Sequence, residues 1–222
     1  MTVILMLLMF SIFLVVDYFL RRKQVVAQTA KPVAERSLPR LVPVVVAGFQ
    51  VPENLSYHPG HTWALRESSN LVRVGMDDFA SKLAGKLESI TLPKRGQWIR
   101  QGQKLLTMLH NGQSAEMISP IEGIVTGINE SAVRDPELAR KDPYGEGWLV
   151  KVDSPEATTS FRNLLNGTLA RSWMEDAGRR LRTRLAPAAM ALAQDGGVAV
   201  DDLASQIPAA DWAGMAREFF LT

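Results

Sequence analysis

Three histidines, two adjacent aspartates, two loop glycines and an arginine cluster are the residues of this chain whose types and spacing could do chemistry. His58-Pro59-Gly60-His61 places two imidazoles three residues apart. A metal site would need more ligands at fixed geometry, and Pro-Gly between the histidines keeps them off one helical face. The segment reads as a turn before a strand. Asp77-Asp78 has the composition of an acid/base pair, but spacing offers it neither a nucleophile nor a His partner. An acidic helix N-terminus accounts for both residues. Gly145 and Gly147 lack the strand-loop-helix setting and the Lys-Ser/Thr of a phosphate loop, and they read as turn glycines. Arg171, Arg179, Arg180, Arg182 and Arg184 read as a solvated helix face; near a membrane they would meet anionic headgroups. The chain has no cysteine, so thiol catalysis, disulfides and Cys-based metal sites are excluded. No catalytic residue, metal ligand or cofactor-binding residue is assigned.

The remaining candidate is a turn. Asn111-Gly112 stands between two short apolar runs, Leu105 to Leu109 and Ala115 to Ile118. A type I′ turn needs φ > 0 at both central residues, which Asn tolerates and Gly adopts without a Cβ penalty. The spacing predicts a two-residue hairpin with His110, Asn111, Gly112 and Gln113 at its tip, as a surface that a partner could read. Gly85 to Leu92 before it and Gly123 to Ile128 after it share a Gly-then-β pattern. That symmetry predicts two similar half-sheets joined through the hairpin.

The elements that must position this tip follow from patterning. Val3 to Leu20 is apolar except at Ser11, Asp17 and Tyr18, and Arg21-Arg22-Lys23 follow at once. As a helix it would reach roughly 27 Å, enough for a bilayer core. A cleaved signal peptide would carry its charges on the other flank. The expectation is a retained single-pass inner-membrane anchor, with the C-terminal domain cytoplasmic by the positive-inside rule. Residues 24–54, with Pro32, Pro39, Pro43 and Pro52, read as a semi-rigid linker ending in a docking strand. From Tyr57 to Val152, short strands alternate with turn signals every 8–12 residues, the pattern of a small barrel or sandwich. After Ser160 the period becomes helical, with Leu164, Leu165, Leu169, Trp173, Met174, Leu181 and Leu185 on one face. Asp195-Gly196-Gly197 breaks it, and Ala209 to Phe220 resumes it after Pro208. A net charge of +2 without a clustered basic field excludes a general nucleic-acid binder.

Within the β-rich region, five segments in order resemble the H protein of the glycine cleavage system. They are His61-Thr62-Trp63, Val74 to Ala80, Leu92-Pro93-x-x-Gly96, Ser119-Pro120-Ile121-x-Gly123-x-Val125, and Pro143-Tyr144-Gly145-x-Gly147-Trp148. The resemblance implies a mainly β, lipoyl/biotinyl-type barrel-sandwich hybrid. To this the sequence adds an N-terminal transmembrane helix and a C-terminal helical appendage. The implied division is 1–23 anchor and basic flank, 24–54 linker, 55–156 H-protein-like domain and 157–222 appendage. The appendage is expected to be dispensable for folding of the β core. In that family a Glu-Ser-x-Lys segment carries a lipoyl group on its lysine. Counted back from Ser119-Pro120 without a gap, the segment falls on Leu109-His110-Asn111-Gly112, with Gly112 at the lysine position. The resulting expectation is a non-enzymatic, membrane-tethered interaction module with no lipoyl group. It has no cofactor, no small-molecule substrate and no nucleic-acid partner. Its partners are the bilayer, through the N-terminal helix, and a protein not named by the sequence. The alternative is a lipoyl carrier serving the other glycine cleavage components. An envelope export adaptor is a further alternative, but such proteins insert a long helical hairpin where this chain has two residues.

Overall fold

Alternation of apolar and polar residues around tight turns gives the central part of the chain its strands. The computed structural model describes residues 44–185 and 202–221. The expected transmembrane helix and the break at Asp195-Gly196-Gly197 lie outside them. Among the described residues no helix is long and apolar enough to cross a membrane.

A six-stranded antiparallel sheet contains β3 (Ser56–His58), β4 (Thr62–Arg66), β5 (Leu71–Met76), β7 (Trp98–Ile99), β10 (Gly123–Ile128) and β11 (Val150–Asp153). Its order is β3-β4-β5-β11-β10-β7. A three-stranded sheet of β6 (Ser89–Thr91), β8 (Lys104–His110) and β9 (Gln113–Ile118) has the order β6-β8-β9. A small ribbon of β1 (Val45–Val46) and β2 (Phe49–Gln50) precedes both. The hairpin therefore does not join two matching half-sheets. Its strands lie wholly in the smaller sheet, because β8 pairs β6 while β10 pairs β7 and β11. The shared Gly-then-β pattern is not a structural repeat: Gly85 caps the Asp78–Ala84 helix with φ 63°, whereas Gly123 begins β10 with φ 155°.

Close packing explains one glycine in the larger sheet. Trp63 pairs across from Gly75, and a Cβ at Gly75 would lie 2.5 Å from the Trp63 ring. The bare glycine lets the indole lie flat in the core and donate its N–H to the Met76 and Pro143 carbonyls, at 2.8 and 3.1 Å.

Helix α1 (Asp78–Ala84) follows β5, with Asp77 as its N-cap. Two short helices, α2 (Glu130–Arg134) and α3 (Pro136–Lys141), occupy the connection from β10 to β11. The tail supplies α4 (Ala157–Arg162), α5 (Gly167–Leu185) and α6 (Ala209–Phe220). In α5, Ala170, Met174, Ala177, Gly178, Leu181 and Leu185 are buried, the stripe expected of an amphipathic helix. Leu169, expected on that face, is instead 67% exposed. In α6, Trp212, Ala216, Phe219 and Phe220 are buried.

These tail residues belong to the common core. The described residues fall in one compact unit. Leu203 donates its N–H to the Lys82 carbonyl at 3.1 Å, and Phe219 packs on Phe79 with ring centroids 5.0 Å apart. This packing argues against the expectation that the tail is dispensable for the β core, which truncation tests. The β motifs close at Val152, but their apolar faces are finished by residues from α5 and α6.

Candidate functional site

The hairpin forms as its turn chemistry requires. His110 pairs with Gln113, and the two residues between them both have positive φ, 47° at Asn111 and 73° at Gly112. Gly112 donates its N–H to Glu88 Oε1 at 3.2 Å, tying the tip to the segment before β6. Asn111 and Gly112 are exposed.

His110 does not share that exposure. It is 7% exposed, and its ring lies 4.9 Å from the Trp212 ring of α6. Its Nδ1 sits 2.8 Å from the Lys86 carbonyl, which can only accept, so Nδ1 carries the proton. Nε2 is then the acceptor for the Asn111 amide at 3.1 Å. Gln113 Oε1 accepts the Ala213 N–H at 3.3 Å. Of the four expected tip residues, Asn111, Gly112 and part of Gln113 face outward, while His110 faces the tail. The physical reason is α6, whose Trp212 covers the imidazole. The spacing of Trp212, Ala216, Phe219 and Phe220 was the available signal, and it says only that this face is covered.

The second cluster was missed as a cluster. His61 and Asp77 stand one step beyond the Thr62–Met76 pair of the β4–β5 hairpin. Their side chains meet at 2.8 Å, Nδ1 to Oδ2, and both residues are fully buried. The statement that spacing gives Asp77 no His partner is corrected here. Hairpin register, not sequence separation, was the signal. Asp77 Oδ1 accepts the Ala80 N–H at 2.8 Å, so one carboxylate both caps α1 and holds His61. His61, with φ 62°, stacks on Phe79 at 4.0 Å and lies 4.6 Å from Trp173. Its Nε2 is buried without a hydrogen-bond partner. His58 lies less deep; burial, and then His61, push its pKa down.

Asp78 faces the other way. Its Oδ2 takes hydrogen bonds from Lys82 Nζ and the Gln50 N–H, both at 2.8 Å. Burial raises its pKa, and Lys82 opposes that rise. Tyr144 accepts the Asp78 N–H at 3.0 Å and donates to the Gln50 carbonyl at 2.6 Å; burial pushes its pKa well above the usual phenol value. Asp77 and Asp78 thus clasp β2, β4, α1 and the loop after α3. They have the residue types of acid/base chemistry, but substrate has no access to them.

The other candidates resolve as local structure. Asp142 accepts the Gly145 and Glu146 N–H groups, so the glycine loop is a turn. Arg179 and Arg180 pair with Asp176, Arg184 with Glu218 and Arg171 with Glu53. No group of three or more His, Asp or Glu suited to a metal occurs among the described residues.

The site is thus a mainly β fold with one tight hairpin at its surface and its buried charged groups, Asp77, Asp78 and Lys82, held by protein partners. The family model described as "Glycine cleavage H-protein" matches residues 55–177. The chain belongs to the glycine cleavage H-protein family, and it is not an enzyme. It is 33% identical over 130 residues to the probable glycine cleavage system H protein 2 of Sulfurisphaera tokodaii, spanning 56% of this chain and 86% of that one. The glycine cleavage system H protein of Legionella pneumophila is 35% identical over 113 residues, spanning 51% and 89%. The crystal structure of the H protein from Mycobacterium marinum matches with a TM-score of 0.50 and 27% identity, covering 58% of this chain and 99% of that one.

Proposed function

We propose that this chain is a non-catalytic module of the H-protein family that carries no lipoyl group and works by protein contact. Its fold is that family's barrel-sandwich hybrid. The observation that carries the reading is the exposed tip, occupied by Asn111 and Gly112; the count back from Ser119-Pro120 assigns Gly112 the lysine position that the resemblance implies. Neither has an amine to acylate. The count from Ser119-Pro120 has a rigid origin. Ser119 is fully buried, donates its hydroxyl to the Ile121 carbonyl at 2.7 Å, and its own carbonyl accepts the Gly102 N–H at 2.9 Å.

The second reading, a carrier within glycine cleavage, is favoured by the names of the relatives and by the share of their length that this chain spans. Intact mass separates the two. Protein from cells with active lipoylation is expected to weigh what the unmodified chain weighs; a lipoyl-sized adduct on any lysine would establish the carrier. Gly112→Lys is the complementary variant. A Cβ there meets nothing within 4 Å, so the main cost is the positive φ, about 1 kcal/mol. It is expected to fold.

The module is tethered by residues 1–23, with the folded part cytoplasmic. The basis is the apolar run before Arg21-Arg22-Lys23. A reporter fused after Thr222 is expected to be active only if it works in the cytoplasm. Activity from a reporter that needs the periplasm would reverse the orientation.

A further inference from the structure

Four of the five tryptophans have work inside the fold. Trp63 and Trp212 are buried, Trp173 packs on His61, and the Trp148 ring is covered by Arg73 and Lys151. Trp98 is the exception. It sits on β7, the edge strand of the larger sheet, is 47% exposed, and has no ring partner among the described residues. Directly across from it on β10 is Ile124, 42% exposed. The two form an outward apolar pair at an open sheet edge, where proteins normally place charge.

The setting of the pair is asymmetric in charge. Between Glu88 and Glu116 the chain carries Lys94, Arg95, Arg100 and Lys104 and no acid. Lys104 pairs with Glu116. Lys94, Arg95 and Arg100 flank Trp98 and are exposed. Arg95 reaches Glu130 only at 3.9 Å, and the Lys94 and Arg100 side chains make no ion pair among the described residues. The acids on the neighbouring elements are Glu122, Glu130 and Asp153; Glu122 precedes Gly123, which is in register with Ile99, and Asp153 is in register with Ile124. An amphipathic indole beside free cations fits the headgroup region of an anionic bilayer, where Trp is enriched and Lys and Arg are attracted.

We infer that the Trp98–Ile124 edge, with Lys94, Arg95 and Arg100, is a docking surface for anionic membrane lipid. It rests on the proposed anchor for proximity. The anchor holds the chain near the membrane, and this edge orients the domain on it. The arginines of α5 are less suited, because most are already paired with acids on the same helix or on α6.

All five tryptophans lie between residues 63 and 212, so indole fluorescence reports on the domain and not on the anchor. The full chain is mixed with vesicles of brominated phosphatidylcholine, with or without phosphatidylglycerol. Quenching of the wild type is compared with that of Trp98→Phe, and flotation reads attachment. In anionic vesicles the wild type is expected to lose a fluorescence component that Trp98→Phe lacks. The double substitution Lys94→Glu with Arg100→Glu, or high salt, should cut that component several-fold. Quenching equal in the wild type and Trp98→Phe in anionic vesicles overturns the inference. So does a Trp98 component indifferent to lipid charge. If the chain floats with neutral vesicles while Trp98 stays unquenched in anionic ones, the anchor stands and the docking edge falls. If it floats only with anionic vesicles and through Trp98, the anchor falls and the edge stands. If it floats with neither, both fall.

Discussion

Trp212→Ala is expected to lower the stability of the folded unit by about 3–5 kcal/mol, the usual cost of deleting a large buried aromatic. Trp212 is 1% exposed, covers His110 and donates its indole N–H to the Leu83 carbonyl at 3.0 Å. Truncation leaves a cavity between α6 and the hairpin and an unmet carbonyl at the end of α1. Against a typical total of about 5–15 kcal/mol, such a loss is a large fraction. Urea unfolding of the full chain, followed by near-UV circular dichroism, measures it. Trp212→Phe keeps much of the ring but not the N–H, and should cost less. A loss under about 1 kcal/mol for the alanine variant would return the tail to the status of an appendage. The same packing implies that a chain ending near Glu156 will not melt cooperatively. Such a chain lacks α5 and α6 and exposes Phe79, Leu83 and Tyr57.

Asp77→Ala is expected to be comparably damaging, because one carboxylate has two duties. Its loss uncaps α1, typically worth about 0.5–2 kcal/mol. It also leaves His61 fully buried with both ring nitrogens unpaired, and an unmet buried polar group commonly costs about 1–3 kcal/mol. These contributions share an atom group and will not add. Asp77→Asn separates them. Its side-chain oxygen can still cap α1, but one oxygen cannot serve Ala80 and His61 as two did. The expected order of stability is wild type, then Asn, then Ala, by denaturant midpoint at neutral pH. An alanine variant as stable as the wild type would mean that the His61–Asp77 contact holds nothing together.

Several features of this fold were legible because they depend on near neighbours. Asn111-Gly112 determines its own turn, since no common residue pair adopts two successive positive φ values so readily. Strands at Thr62–Arg66 and Leu71–Met76 follow from alternation, and α1 from its acidic start. The five ordered segments that resemble the H proteins also mark sites of local constraint. Leu-Pro-x-x-Gly is a turn, and Val74-Gly75 must leave room for Trp63. These belong to the chain's immediate chemistry, set by residues close in sequence or paired across one hairpin.

The tertiary structure decided which of those features touch. A buried stripe on α6 is readable as Trp212, Ala216, Phe219 and Phe220, but nothing in it names the hairpin and α1 as what it covers. The same uncertainty made His110 look like a tip residue and left Asp77 without its histidine. Helical periodicity reports that a face is removed from water, because burial of apolar area is non-directional. It does not report against what. Only the packed chain supplies that, since close packing accepts one arrangement of surfaces whose individual hydrophobicity would have suited many.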